Sequence, residues 1–293
     1  MTYEEPGQAT AILGLMQGRA GDFTKADRKV ARVLMANYPR AGLSTIAQIA
    51  DQAGTSGPTV IRFVKKLGFD SFMAFQDALI QEVDDRLASP HVQLGRWEPD
   101  QTDQTLVETA LSVFRQELET TFARLQPGDI ELVAALLTDP KRAVFTLGGR
   151  YSHLLADYLA SHLQQLRDRA RLLPRGEIER AEALVDMRRN DVLVVFDYRR
   201  YDADIRRFSE HAHGAGAKIV LLTDFYRSPV LPYASYVLSS SVTAPSPFDS
   251  MVSGLALVET LIAQATAHSG GQGADRIAEI DHLRRSVPGS EDL

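Results

Sequence analysis

Apolar residues in the first ninety positions recur at helical spacing. Between 24 and 38, Ala26, Val30, Val33 and Leu34 fall three or four apart and Pro39 closes the run, which predicts an amphipathic helix. A second helix is expected over 44–53, with Ile46, Ile49 and Ala50 on one face and Gly54 where a C-terminal cap glycine belongs. A third follows almost at once. Ser56 is placed to cap it, Pro58 falls in its first turn, Val60, Val64 and Leu67 form its buried stripe, and Gly68 ends it. One more amphipathic helix is expected over 72–87, and the stretch 89–101, with Pro90, Gly95 and Pro99, reads as a linker.

Beyond the linker the pattern changes. Helices are expected over 102–125 and 129–137. Short apolar runs at 143–147, 191–196, 218–223 and 236–239 then alternate with helical stretches at 152–166 and 202–215, and a long helix is expected over 247–267. Strands alternating with helices imply βαβ units and a parallel sheet covered on both faces. The expected architecture is an all-α helix-turn-helix domain over 1–88 followed by a doubly wound parallel-sheet α/β domain over 102–293.

Composition narrows the classes. The chain has 293 residues, 44% hydrophobic and 24% charged, which is too apolar for a disordered protein and long enough for two domains. No run approaches the ~18 apolar residues of a membrane span, and the first twenty residues lack a basic start followed by an apolar block. A cytoplasmic protein without a membrane partner is expected. Cysteine is absent, which removes disulfides, thiol nucleophiles and cysteine-ligated metals together.

The net charge is −6, yet residues 19–68 hold nine basic side chains (Arg19, Lys25, Arg28, Lys29, Arg32, Arg40, Arg62, Lys65, Lys66) against Asp22, Asp27 and Asp51, a local +6. A basic segment inside an acidic protein is the footprint of a small nucleic-acid module. The turn Gly54-Thr55-Ser56 between two helices has helix-turn-helix spacing, in which the second helix enters the major groove of double-stranded DNA. With Val60, Phe63, Val64 and Leu67 turned inward, the outward face offers Ser56, Gly57, Thr59, Arg62, Lys65 and Lys66. Small polar residues at the front permit close approach, Arg62 can fork onto a guanine edge, and Lys65 and Lys66 suit phosphates. A surface helix of a protein-binding bundle is the competing reading.

The runs Leu43-Ser44-Thr45-Ile46-Ala47-Gln48-Ile49-Ala50 and Ser56-Gly57-Pro58-Thr59-Val60-Ile61-Arg62-Phe63-Val64-Lys65-Lys66-Leu67-Gly68-Phe69 resemble the N-terminal domain of the MurR/RpiR family of bacterial transcriptional regulators. The resemblance implies a C-terminal sugar isomerase-type (SIS) domain sensing a small effector, usually a phosphosugar. It also implies a homodimer or homotetramer that reads an operator.

In open α/β sheets ligands bind beyond the C-terminal strand ends. The first such crossing is Leu147-Gly148-Gly149-Arg150-Tyr151-Ser152, similar to the glycine-to-serine loop of SIS domains. Gly148, Gly149, Arg150 and Ser152 are candidates for an effector anion at the helix start, although a tight turn with a capping serine explains the same residues. The second crossing departs from the family. The serine-rich phosphate cradle of many SIS domains is replaced by Asp197-Tyr198-Arg199-Arg200-Tyr201-Asp202. Tyr198, Arg199 and Arg200 are effector candidates because guanidinium forks pair with oxyanions; a solvated loop or a subunit contact fits them equally. At the third, Ser246, Pro247 and Asp249 have capping-box spacing.

Catalytic and metal signals are weak. Glu259, His211 and His213 are the available acid/base groups, with the two histidines in a polar run, and His153 with Asp157 has metal-ligand spacing but no third ligand. No cofactor, metal or enzymatic activity is expected. The sequence reads as a DNA-binding regulator modulated by a small, anionic metabolite, with a phosphosugar isomerase bearing a helical appendage as the alternative.

Overall fold

The computed structural model describes residues 12–286 apart from 37, 88–93, 95–104 and 227. The expected linker therefore lies, save Leu94, outside the described residues. The chain divides into two compact units, Met1–Gly95 and Arg96–Leu293.

The first unit is helical: α1 (Ile12–Gly18), α2 (Lys25–Ala36), α3 (Ile46–Ala53), α4 (Gly57–Lys66) and α5 (Phe72–Leu87). Its core joins Val30, Ala31 and Leu34 of α2, Ile49 and Ala53 of α3, Val60, Phe63 and Val64 of α4, and Phe75 and Leu79 of α5, all buried. Phe23 meets Phe63 edge-on with ring centroids 5.1 Å apart. Helix α3 starts two residues later than the periodicity predicts. Thr45 is extended (φ −69°, ψ 156°), its hydroxyl accepts from the Gln48 N–H, and the Gln48 side chain accepts from the Thr45 N–H, so the cap fixes the start. Gly54 takes the left-handed conformation (φ 56°, ψ 49°) that ends α3 and turns the chain into α4.

The second unit holds α6 (Leu106–Phe122), α7 (Asp129–Thr138), β1 (Val144–Gly148), α8 (His153–Leu166), β2 (Ala170–Leu172), α9 (Glu177–Asp186), β3 (Val192–Asp197), α10 (Ala203–Gly214), β4 (Lys218–Thr223), β5 (Tyr236–Ser239) and α11 (Val252–Ser286). All strands pair in parallel in the order β2-β1-β3-β4-β5. Alternate strand residues serve opposite faces. Val144, Val192, Val194, Phe196, Val220 and Leu222 pack with α7, α8 and α11, whereas Phe145, Leu147, Leu193, Val195, Ile219 and Leu221 pack with α9 and α10. Burial on both faces is why these strands read as continuous apolar runs rather than alternating ones.

Three elements depart from expectation. Strand β2 and helix α9 are additions: β2 has only three residues at the sheet edge, and α9 (EIERAEALVD) is too polar to announce a buried face. The last helix begins at Val252, not near 247, because Ser250 Oγ accepts from the Val252 N–H while Asp249 is drawn away to Arg199; the capping box expected from Ser246 and Asp249 is not formed. Its stretch around the Gly/Ser-rich residues stays helical except at Gly270 (φ 52°, ψ −134°), where it breaks.

Candidate functional site

Helix α4 is held by its inner face and presents the other. Val60, Phe63 and Val64 are fully buried, whereas Ser56, Pro58, Ile61, Arg62 and Lys65 are exposed. Gly57 lies close under α3, since a Cβ there would stand 3.3 Å from Ile46 Cγ2. Two expected roles change. Ser56 occupies the N-cap position without capping: its hydroxyl pairs with the Thr59 hydroxyl at 3.0 Å. Thr59, expected on the outward face, is 7% exposed and accepts from Arg62 Nη2 at 3.3 Å. It positions Arg62 from beneath.

Lys66 is similarly drawn inward. Its ammonium sits 3.0 Å from Asp27 Oδ2 and also donates to the Asp22 carbonyl, while Arg19 Nη1 donates to the Lys66 carbonyl at 2.6 Å. Burial works against the Asp27 carboxylate, but the Thr24 N–H and hydroxyl and the Lys66 ammonium outweigh it and hold its pKa below the usual range. Lys29, which the sequence reading passed over, donates to the Gly54 carbonyl at 3.4 Å, so this cation stands beside the turn. Its count within the basic segment was the available signal.

In the second unit, the C-terminal ends of β3 and β4 carry a closed polar cluster. The Asp224 carboxylate accepts from the Arg199 N–H (2.6 Å), the Tyr201 hydroxyl (2.8 Å) and the Tyr226 N–H (2.7 Å). Arg199, its side chain 9% exposed, forks onto Asp249 through Nη2 (2.8 Å) and Nε (3.1 Å). Asp197 accepts from Ser228 Oγ at 2.5 Å and the Asp202 N–H at 3.3 Å. Tyr198 is buried, its hydroxyl 3.1 Å from Ser240 Oγ and packed so closely under α11 that a Cβ on Gly254 would stand 2.8 Å from it. Burial pushes the pKa values of Asp197 and Asp224 up to about 7, against the hydrogen bonds each accepts and with the help of neighbouring carboxylates. Burial, and then Asp224, raise that of Tyr201. Arg200 alone of the three effector candidates here is exposed, with a left-handed φ of 70°.

The glycine-to-serine crossing is tied to β3. Ser152 Oγ donates to the Phe196 carbonyl (2.7 Å) and accepts from the Gly149 N–H (2.9 Å), so the hydroxyl is committed in both senses and does not cap α8. A Cβ on Gly148 would lie 2.6 Å from backbone atoms of Ser152 and His153, which only glycine escapes. Arg150 is exposed, its guanidinium 5.2 Å from the Tyr151 ring centre. The structure thus brings Gly149, Ser152 and the end of β3 together. Among the acid/base candidates, exposed Glu259 accepts from the Tyr158 hydroxyl at 2.5 Å, and the His213 ring lies tilted against Tyr233 with centroids 5.9 Å apart. Among the described residues no group of three metal-ligating side chains occurs, and no helix is long and apolar enough to cross a membrane.

Comparison with known proteins agrees with this division. A helix-turn-helix domain of the rpiR family matches residues 10–86, and a SIS domain matches 136–264. An uncharacterized HTH-type transcriptional regulator of Haemophilus influenzae is 23% identical over 222 residues, 74% of this chain and 75% of that protein. Another from Thermotoga maritima is 23% identical over 231 residues, covering 78% and 81%. In fold, the sugar isomerase domain of the RpiR transcription factor from Sphaerobacter thermophilus superimposes with a TM-score of 0.56 at 23% identity, over 61% of this chain and 99% of that one. The Vibrio vulnificus NanR protein complexed with ManNAc-6P does so with a TM-score of 0.53 at 17% identity, over 93% and 97%. With an rpiR-type helix-turn-helix joined to a SIS domain, the chain belongs to the RpiR family.

Proposed function

We propose that the protein is a DNA-binding transcriptional regulator whose operator affinity is set by a small anionic metabolite bound to the SIS domain. The observation that carries this reading is α4. One face is locked in the core, and the other presents Ser56, Arg62 and Lys65 within a segment of local charge +6 in a chain of net charge −6. In this reading Arg62, steadied by Thr59, reads a base edge. Ser56 and Gly57 allow close approach, Lys65 neutralises phosphate, and Lys66 acts from the side by fixing α4 to Asp27 and Asp22.

The functional boundary falls in 89–101, and two copies joined through the SIS domain offer two α4 helices to two half-sites. The effector binds beyond the C-terminal strand ends. Gly148, Gly149 and Ser152 shape the floor there, Tyr198 and Arg199 brace the wall, and Arg150 and Arg200 are the exposed cations at the rim. NanR bound to ManNAc-6P makes a phosphorylated sugar the first class to test. The regulator-named relatives support a role without catalysis. The test is selection of genomic fragments by the purified full-length protein followed by footprinting. A protected site with two related half-sites is expected; binding that never exceeds that of random DNA overturns the reading.

A further inference from the structure

Helix α2 carries a second charged face that the reading of α4 leaves unused. Lys25, Arg28, Lys29 and Arg32 recur at spacings of three and four residues, so they line one side of the helix, and all four are exposed. Asp27, Val30, Ala31 and Leu34 turn the other way and are buried. Among the described residues none of the four cations meets a carboxylate. Asp27, the only acid in the helix, is taken by Lys66, and the one polar side-chain contact of the stripe runs from Lys29 Nζ to the Gly54 carbonyl. Like charges at these spacings weaken a helix, and a face that only has to stay soluble mixes both signs. An unbroken cationic stripe fits a counter-charge from outside the protein.

Two contacts tie this helix to the recognition surface. Lys29 reaches the Gly54 carbonyl (3.4 Å) ahead of the first turn of α4, and Asp27 holds Lys66 (3.0 Å) in its last turn, so α2 flanks α4 from end to end. Gly54 and Ser56 are exposed, which puts the edge of the stripe beside the open turn that leads into α4. From Lys25 to Arg32 the stripe covers about 10 Å of helix axis, matching the rise of about three phosphates along one strand of B-DNA.

We propose that Lys25, Arg28, Lys29 and Arg32 form a phosphate track, a second DNA-contacting surface that grips one strand beside the groove entered by α4. The proposal rests on the reading of the protein as a DNA-binding regulator and extends it to residues outside α4. Backbone phosphates suit the stripe better than an acidic protein surface, because their charges repeat along a line as these cations do and because the stripe adjoins the turn into α4. The two helices then divide the work. Phosphate contacts fix position and add affinity for any sequence, whereas discrimination stays with α4.

The test compares the full-length parent with the triple variant Lys25→Gln, Arg28→Gln, Arg32→Gln, which keeps Lys29 and its contact with Gly54. Both are titrated with a selected operator fragment and with random-sequence DNA over a salt series. The variant should lose affinity for both DNAs by a similar factor, on the order of tenfold or more, and its log-affinity against log-salt slope should be shallower by about two to three units. The ratio of operator to random affinity should stay that of the parent, unlike the ratio for Arg62→Ala. The three side chains are exposed, so urea unfolding should match the parent; if the triple variant fails to fold, Arg28→Gln alone should still change the slope by about one unit. An unchanged slope and affinity, or a loss confined to the operator, overturn the track, and the first of these would leave the stripe to a protein partner. A parent that never prefers an operator while the variant still shows the shallower slope defeats the regulator reading and leaves the track standing. A parent that binds no DNA overturns both.

Discussion

The two sides of the sheet's C-terminal edge are built from similar material and end in opposite states. Beyond β3 and β4, Asp224, Tyr201, Arg199 and Asp249 satisfy one another, and Asp197 is met by Ser228. Beyond β1, His153 Nδ1 is sealed from solvent with no hydrogen-bond partner among the described residues. A polar group that has its partner inside the protein holds the fold, and one that lacks it is available to a ligand. The same distinction runs along α4, where Lys66 is committed to Asp27 while Lys65 faces solvent.

The largest effect should come from breaking the filled side. Asp224→Ala leaves two N–H groups and the Tyr201 hydroxyl without their acceptor and should cost about 3–5 kcal/mol in urea unfolding. A cost near zero would show that the cluster is not structural. Next comes pH. The Asp197 carboxyl, pushed up to about 7 in the folded protein, holds a proton that the unfolded chain releases near 3.8, so its contribution is complete below that value and is lost as pH rises through 7. Unfolding free energy of the parent relative to Asp197→Asn should fall by on the order of 3 kcal/mol from pH 4 to 8; a flat difference would contradict the account.

On the DNA side, Arg62→Ala should weaken operator binding by about 1–3 kcal/mol and random-sequence binding by less. Equal losses would remove Arg62 from base reading. The smallest effects separate the neighbouring lysines. Lys66→Ala should lower stability by about 1 kcal/mol with its half-buried ion pair and leave the salt dependence of DNA binding nearly unchanged. Lys65→Ala should instead make the log-affinity against log-salt slope shallower by about one unit. Interchanged phenotypes would reverse the assignment of the two.

Local periodicity carried much of the fold into view. The spacing of Val60, Phe63, Val64 and Leu67 located α4, and the apolar runs at 191–196 and 218–223 located β3 and β4, because burial writes itself into neighbouring positions. What stayed hidden depends on residues far apart in sequence. Lys66 meets Asp27 across 39 positions, Arg199 meets Asp249 across 50, and Ser152 meets Phe196 across 44. Local spacing therefore assigned Lys66, Arg199 and Ser152 to ligands that the protein's own groups replace. Arg180 is buried although it lies in a polar helix, which only the tertiary structure reveals.

The most direct measurement is operator binding by fluorescence anisotropy, titrated with a hexose 6-phosphate. A shift of several-fold in operator affinity on addition of the sugar phosphate is predicted. An operator affinity that ignores the sugar phosphate would contradict the coupling of an effector on the SIS domain to DNA reading by α4.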